Sequence, residues 1–265
     1  MKERLDVLLT QKGLAPSREK AKALIMAGQI WIDGSRIDKA GTMVGSECEI
    51  EVRGDTCPYV SRGGLKLEKA MKMFDFHVEN AVCCDMGAST GGFTDCMLQR
   101  GAQKVYAIDV GYGQLDYKLR TDPRVINMER TNIRYMDTAL IEEPVDFISI
   151  DVSFISLDLI LPVAAEVLSE TGRVLCLVKP QFEAGRSQVG KKGIVRDPAV
   201  HKEVIIKVAG YAEKNGLYPQ GLTFSPVTGA KGNIEYLLYL ERNNAKIDID
   251  FLADEVVKES HQKLA

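Results

Sequence analysis

The chain has 265 residues, 45% of them hydrophobic and 27% charged, with a formal net charge of −3. That length bounds one to two domains, and the composition excludes wholesale disorder and an indiscriminate coat on nucleic acid, so any RNA contact must come from local clusters of charge. The longest apolar region, Phe147 to Ala165, is broken by Asp151 and Asp158, short of the ~20 uninterrupted apolar residues of a membrane span.

The opening Met1-Lys-Glu-Arg-Leu-Asp6 mixes acid and base where a secretory signal would be apolar, which points to the cytoplasm. The six cysteines form no C-x-x-C, and His77, His201 and His261 are far apart in sequence. Reduced thiols are expected, with neither a disulfide framework nor a metal site.

In chain order, Arg4 to Lys12 reads as a short helix, with Leu5, Leu8 and Leu9 at spacings of three and four and Gly13 closing it. Ser17 suits the N-cap of a second helix whose Ala21, Leu24 and Ile25 form a buried stripe, and Gly28 suits its left-handed end. Ile30-Trp-Ile32 and Arg36-Ile37 flank Asp33-Gly34, a type I′ hairpin signal. Glu47 to Val52 alternates charged and apolar residues as a last strand. Up to Lys22 there are six basic residues against three acids, with Arg18 and Lys22 on the helix face opposite the stripe, an arrangement that suits phosphate.

Arg4-Leu-Asp6, Gly13-Leu-Ala-Pro-Ser17-Arg18, Ala21, Leu24-Ile25, Gly28-Gln-Ile-Trp-Ile32 and Gly34 resemble the RNA-binding domain named for small-subunit ribosomal protein four. The resemblance implies that the second helix and the hairpin grip structured RNA, with Arg4, Arg18, Lys20 and Lys22 as contacts. Gly54, Pro58, Gly63 and Gly64 punctuate a polar stretch. The expected organisation is a small α+β RNA-binding domain over 1–58, a linker over 59–64, a catalytic domain over 65–245 and a C-terminal helix over 246–265.

From residue 65 strand and helix alternate. Helices fit Leu65 to Phe74, Gly91 to Arg100, Leu115 to Leu119, Leu157 to Leu168 and Val200 to Asn215. Strands fit Val82 to Asp85, Lys104 to Asp109, Val125 to Met128, Val145 to Ile150, Val174 to Val178 and Ile234 to Leu240. This pattern predicts an α/β fold with a mostly parallel, Rossmann-like sheet covered by helices on both faces, and a ligand site at the carboxyl ends of the strands.

The first strand-to-helix turn is Asp85-Met-Gly87-Ala-Ser89-Thr-Gly91-Gly92-Phe93-Thr94. Its glycines permit tight turning beside a ligand, but Ser89 departs from the G-x-G-x-x-G of dinucleotide sites. Asp109, ending the next strand, can accept both ribose hydroxyls of an adenosine. The turn resembles the S-adenosylmethionine site of FtsJ-like RNA ribose methyltransferases. That resemblance implies a cofactor contacted by Asp85, Gly87, Ser89, Gly91, Gly92, Phe93, Asp109 and Asn132, with Asp109 on the ribose and Asn132 near the adenine.

Asp151 and Lys179 sit at strand ends and Glu235 at the opening of Ile234 to Leu240; Lys66 sits on the helix before the sheet. In their contexts, Ser61-Arg-Gly-Gly-Leu-Lys66, Ile150-Asp151-Val-Ser-Phe, Val178-Lys179-Pro-Gln-Phe and Gly232-Asn-Ile-Glu235, they resemble in order the Lys-Asp-Lys-Glu tetrad of ribose 2′-O-methyltransferases. With the front domain the resemblance is to the TlyA family, also called hemolysin A. It implies methyl transfer to a ribose 2′-hydroxyl of ribosomal RNA or of ribosomal subunits.

The expected chemistry has Lys179 as base, its pKa lowered by Lys66, Asp151 orienting Lys179, and Glu235 positioning Lys66 or the ribose. Asp151-Val-Ser-Phe154 is not the Asn/Asp-Pro-Pro-Tyr/Phe of amine methylases, and Cys83, Cys84 and Cys176 read as core. The connection from Gln181 to Pro198 reads as a mobile flap contacting RNA through Arg186, Lys191 and Lys192, with Arg62 beside the tetrad. Two other readings stay open: an RNA-binding scaffold with an inactive methyltransferase fold, and a membrane-active hemolysin.

Overall fold

The computed structural model describes residues 2–26, 28–52, 57–229, 232–243 and 247–264, and the chain forms two compact units, 1–56 and 57–265.

In the smaller unit, strand β1 (Lys2–Arg4) pairs antiparallel with β4 (Met43–Gly45), and β2 (Ile30–Ile32) lies between β3 (Ser35–Ile37) and β5 (Ile50–Val52). Helices α1 (Leu5–Gln11) and α2 (Arg18–Met26) supply Leu5, Leu8, Leu9, Ala21 and Ile25 to a core closed by Ile30 and Ile32. Lys20 N donates to Ser17 Oγ, so Ser17 caps α2 as its residue type suggests. Asp33 and Gly34 both take positive φ, 48° and 76°, as a type I′ turn demands. The β1–β4 pair has no counterpart in the sequence reading: three residues per strand are too few to display a period.

The larger unit runs α3 (Gly63–Phe74), β6 (Val82–Met86), α4 (Gly92–Gln99), β7 (Lys104–Asp109), α5 (Tyr117–Arg120), β8 (Val125–Glu129), β9 (Val145–Ile150), α6 (Leu161–Val167), β10 (Leu168–Val178), α7 (Pro180–Glu183), α8 (Pro198–Lys214), β11 (Tyr218–Phe224), β12 (Tyr236–Glu241) and α9 (Ile249–Leu264). Its seven strands lie in the order β11-β12-β10-β9-β6-β7-β8. Only β12 opposes its neighbours; the β8-β7-β6-β9-β10 ladders are all parallel.

Side chains alternate across this sheet. Cys83, Phe147, Leu175 and Leu237 meet α3 and α4 on one face, while Cys84, Ile148, Cys176 and Leu238 meet α6, α8 and α9 on the other. Strands buried on both sides read as unbroken apolar runs, which is why the sequence displayed them clearly. β11 was missed because Pro219, Gln220 and Gly221 interrupt its run.

Two boundaries change, and one connection is anchored. Residues 59–64 are not a linker: Tyr59 is buried in the core of the larger unit, Val60 N donates to Asp95 Oδ2, and Gly63-Gly64 open α3. The C-terminal helix is not an appendage, because α9 buries Ala253, Val256 and Val257 in the same core as α8 and β11. The Gln181–Pro198 connection is tied at both ends, by buried Glu183 and by Val195, whose N–H donates to Asn233 Oδ1. Between those ties Arg186, Lys191 and Lys192 are exposed.

Candidate active site

The order of strands brings the polar residues to one edge of the sheet. Asp85, Asp109, Asp151 and Lys179 end or follow parallel strands and therefore leave the same edge. Glu235 precedes its strand, yet β12 runs the other way, and the Val178–Tyr236 pairing sets Glu235 beside Lys179 at that edge. Lys66 projects from the second turn of α3.

The four residues expected from the tetrad meet. Lys66 Nζ donates to Glu235 Oε2 at 2.9 Å and to Asp151 Oδ2 at 3.3 Å. Lys179 Nζ lies 2.5 Å from Asp151 Oδ1 and donates to the Val152 carbonyl at 2.9 Å and to Ser153 Oγ at 3.0 Å. Lys66, Lys179 and Glu235 are 9%, 7% and 3% exposed. Two cations and two anions balance, as buried charge requires.

One expectation is corrected by this geometry. The two ammonium groups do not face each other unscreened, because Asp151 stands between them with one oxygen toward each. Burial pushes the Lys66 pKa down, but the carboxylates of Asp151 and Glu235 outweigh it and the net shift is upward. Burial likewise raises the Asp151 carboxyl, and the two lysines reverse that to a net lowering.

Two cavities open at this edge. One, of about 440 Å³, is lined by the tetrad with Ser61, Arg62, Gly63, Phe93, Gln181, Phe182 and the 227–229 turn. The other, of about 480 Å³, is lined by Asp109, Val110, Gln114, Asn132, Ile133, Val152, Ile155 and Ile160. Both share Gly87, Ser89, Asp151, Ser153 and Phe154. Volumes of this size suit a small organic ligand.

The glycine turn separates them, and its residues have distinct tasks. Gly87 takes φ +94°, and a Cβ there would lie 2.7 Å from the Asp151 carbonyl, so this glycine lets the β6 and β9 ends touch. Gly92 faces the start of α3, where a Cβ would lie 2.9 Å from Gly64 N. Its requirement is helix-to-helix approach, and Gly91 opens the same helix. Ser89 adopts φ +49° and its N–H donates to Asp109 Oδ2, so a serine supplies the left-handed position expected of glycine.

Asp85 is buried and holds the turn from beneath, accepting from Thr94 N, Thr94 Oγ1 and Ser149 Oγ. Burial pushes its pKa up to about 6 against those hydrogen bonds. Asp109 also accepts from Gly111 N, and Asn132 Oδ1 accepts from Arg134 N, which leaves the Asn132 amide N–H groups for a ligand. Among the described residues no cysteine lines either cavity. The Cys83, Cys84 and Cys176 thiols are all raised by burial.

Sequence reasoning missed several participants. Phe154, 90% exposed with φ +63°, tilts against Phe182 at 4.8 Å between ring centres. Glu183 accepts from Ser156 Oγ and Leu157 N, both at 2.7 Å, and so joins the loop after β9 to the loop after β10. Glu129 accepts from Gln114 N and Leu115 N beside the second cavity; these hydrogen bonds overcome desolvation and hold its carboxyl down at about 2. A signal for the first pair was present: Asp151 and Lys179 are each followed three residues later by phenylalanine.

Of the residues expected to touch RNA, Arg4 and Arg18 in the smaller unit both donate to buried Asp6, at 2.9 and 2.8 Å. Lys20 is exposed and Lys22 half-buried; in the larger unit Arg62 is exposed at the rim of the tetrad cavity. Among the described residues no group of three or more His, Cys, Asp or Glu side chains is arranged to hold a metal ion, and no helix is long and apolar enough to cross a membrane.

Comparison with known proteins agrees with this architecture. The chain is 51% identical over 268 residues to YqxC of Bacillus subtilis, named for rRNA methyl transfer, covering 99% of this chain and 95% of that one. It is 44% identical over 238 residues to the 16S/23S rRNA (cytidine-2′-O)-methyltransferase TlyA of Mycobacterium tuberculosis, covering 89% of each. A solved structure from Streptococcus thermophilus that bears the name hemolysin superposes with a TM-score of 0.80 at 48% identity, over 99% of this chain and 96% of that one. Residues 3–50 match the S4 domain and residues 59–242 match the FtsJ-like methyltransferases. The chain, with an S4 domain at its front, thus belongs to the FtsJ-like methyltransferase family.

Proposed function

We propose that the protein methylates a ribose 2′-hydroxyl of ribosomal RNA with S-adenosylmethionine as methyl donor, acting on the RNA or on a ribosomal subunit in the cytoplasm. The observation that carries this reading is the junction of the two cavities at Asp151, where the Lys66–Asp151–Lys179–Glu235 network borders the space behind the glycine turn. The substrate named for the Mycobacterium tuberculosis relative supports it.

The second cavity offers groups that suit the donor. Val110, Ile133, Val152 and Ile160 offer apolar walls for an adenine, Asn132 an amide N–H, and Asp109 unused lone pairs for ribose hydroxyls. When bound, S-adenosylmethionine supplies an electrophilic methyl group on a positively charged sulfur. Asp85, tied into the turn by Thr94 and Ser149, serves this site by fixing the backbone that borders it.

In the first cavity the acceptor hydroxyl must lose its proton as it attacks. Lys179 is the base in this reading. Its Nζ is surrounded by three acceptors, the Asp151 carboxylate, the Val152 carbonyl and Ser153 Oγ. Once neutral, the amine donates to Asp151 and to the Val152 carbonyl, and its lone pair takes the third direction, where the Ser153 hydroxyl can turn away and the substrate hydroxyl can take its place. Asp151 aims the amine, and Glu235 holds Lys66 against Asp151. Alignment of hydroxyl and methyl carbon supplies much of the rate. Arg4, Arg18, Lys20 and Lys22 of the S4 domain, with Arg62, Arg186, Lys191 and Lys192, bind the RNA backbone.

The buried cysteines count against methylation of a base carbon through a thiolate. The test is transfer of a tritiated methyl group to purified small and large subunits and to naked rRNA, followed by nuclease mapping. Label on a ribose oxygen, lost in Lys179→Met, is expected. Label on a base, or S-adenosylmethionine binding with no transfer to any RNA, would overturn the reading. Lysis of red cells by a chain with all four tetrad residues replaced would favour the hemolysin name instead.

A further inference from the structure

Following the polar contacts from Lys179 leads to Asp151, then Lys66, then Glu235, and on to Gln181, whose Nε2 donates to Glu235 Oε1 at 3.3 Å. Gln181 lies two residues beyond Lys179 in the first turn of α7. The chain of contacts therefore returns to the segment where it began. Glu235 is held on both oxygens, by Lys66 on Oε2 and by Gln181 on Oε1.

The orientation of this amide is dictated by its partner. A carboxylate only accepts, so the NH₂ end faces Glu235 and the carbonyl faces away. That carbonyl oxygen, Gln181 Oε1, is sealed from solvent and meets no hydrogen-bond donor among the described residues. A buried acceptor without a donor costs folding free energy. The amide therefore burdens stability at the place where it steadies the fourth member of the tetrad.

We propose that Gln181 is a positioning residue of the methyl-transfer site: it acts through Glu235, fixing the carboxylate that holds Lys66 against Asp151. The inference rests on the methyl-transfer reading above. Gln181 carries no charge, so removing it disturbs the aim of the network and leaves its charge balance intact.

Two full-length variants test it with S-adenosylmethionine and purified ribosomal subunits. Gln181→Met keeps the length and removes the donor. It is expected to lower kcat by roughly tenfold or more, with KM for S-adenosylmethionine within about twofold of the parent and a Tm within a few degrees of it, since Glu235 Oε1 loses a donor as the unpaired Gln181 Oε1 is removed. Gln181→Glu sets a carboxylate against Glu235 and should be nearly inactive at about pH 8. It should recover toward the parent as the pH is lowered to about 6, since a protonated carboxyl can donate where the amide did. A Gln181→Met chain with the parent's kcat overturns the inference, as does one whose activity falls only in step with its Tm. A Gln181→Glu deficit equal at every pH does the same. Failure of the parent itself to transfer a methyl group would instead overturn the methyl-transfer reading, and this inference with it.

Discussion

Asp151 Oδ1 lies 2.5 Å from Lys179 Nζ while the other Asp151 oxygen receives Lys66, so one carboxylate balances two largely buried ammonium groups. Asp151→Asn should abolish methyl transfer and cost about 3 kcal/mol of stability, because the charge that balances both cations is lost and one ammonium group then faces an amide N–H in place of an acceptor. Adding Lys179→Met, which removes the cation that has no other carboxylate partner, should restore part of that stability and none of the activity. Urea denaturation and methyl transfer on the two chains check both statements.

Asp85 gives a prediction in pH. Its carboxyl stands at about 6 in the fold and near ~3.9 in an unfolded chain. A group whose folded pKa is raised favours the fold while protonated, so its contribution is complete below ~4 and lost as the pH rises through about 6. Asp85→Asn does not titrate. Relative to the parent, the variant should therefore gain roughly 3 kcal/mol between about pH 4 and pH 7.5. Urea midpoints at both pH values would show the gap widening; a constant gap would refute the assignment.

In the S4 domain a buried acid, Asp6, organises two of the basic residues. Arg4 and Arg18 hold the Asp6 carboxyl well below the usual carboxylate range. Asp6→Asn should weaken binding to ribosomal subunits several-fold without changing the salt dependence, since no phosphate contact is deleted. Arg18→Ala should reduce the slope of log K against log salt by about 1. Filter binding over a salt series separates the two.

Glu183 joins the loops that carry Asp151 and Lys179. Glu183→Ala strands the Leu157 N–H in a buried position, at a cost of about 1–3 kcal/mol. Asp151, Ser153 and Phe154 of the loop after β9 border both cavities. The variant should therefore lose S-adenosylmethionine affinity and kcat together, as calorimetry and methyl transfer would record.

Most of the larger unit was legible because its strands are buried on both faces and its helices carry clear apolar spacing. The tetrad was legible as four contexts, and the sheet does gather them. What the sequence withheld was the third dimension of that gathering. Nothing in the spacing of Lys66 and Lys179 reveals that Asp151 stands between them and screens one from the other. The glycines of the turn were read as ligand contacts, yet Gly92 answers to Gly64 across two helices. Gln181 and Glu183 were hidden because a polar residue just after Lys179 looks like any loop residue until its partners, Glu235 and Leu157, are brought in from elsewhere in the chain.

The reversed course of β12 also sets a timetable. β12 lies between β10 and β11 although β11 is made first. During synthesis β11 must wait for the strand that separates it from the rest of the sheet, and the two enter as a hairpin. Glu235 arrives with that hairpin. A chain that stops before residue 235 therefore lacks both Glu235 and the strand that joins β11 to the rest of the sheet.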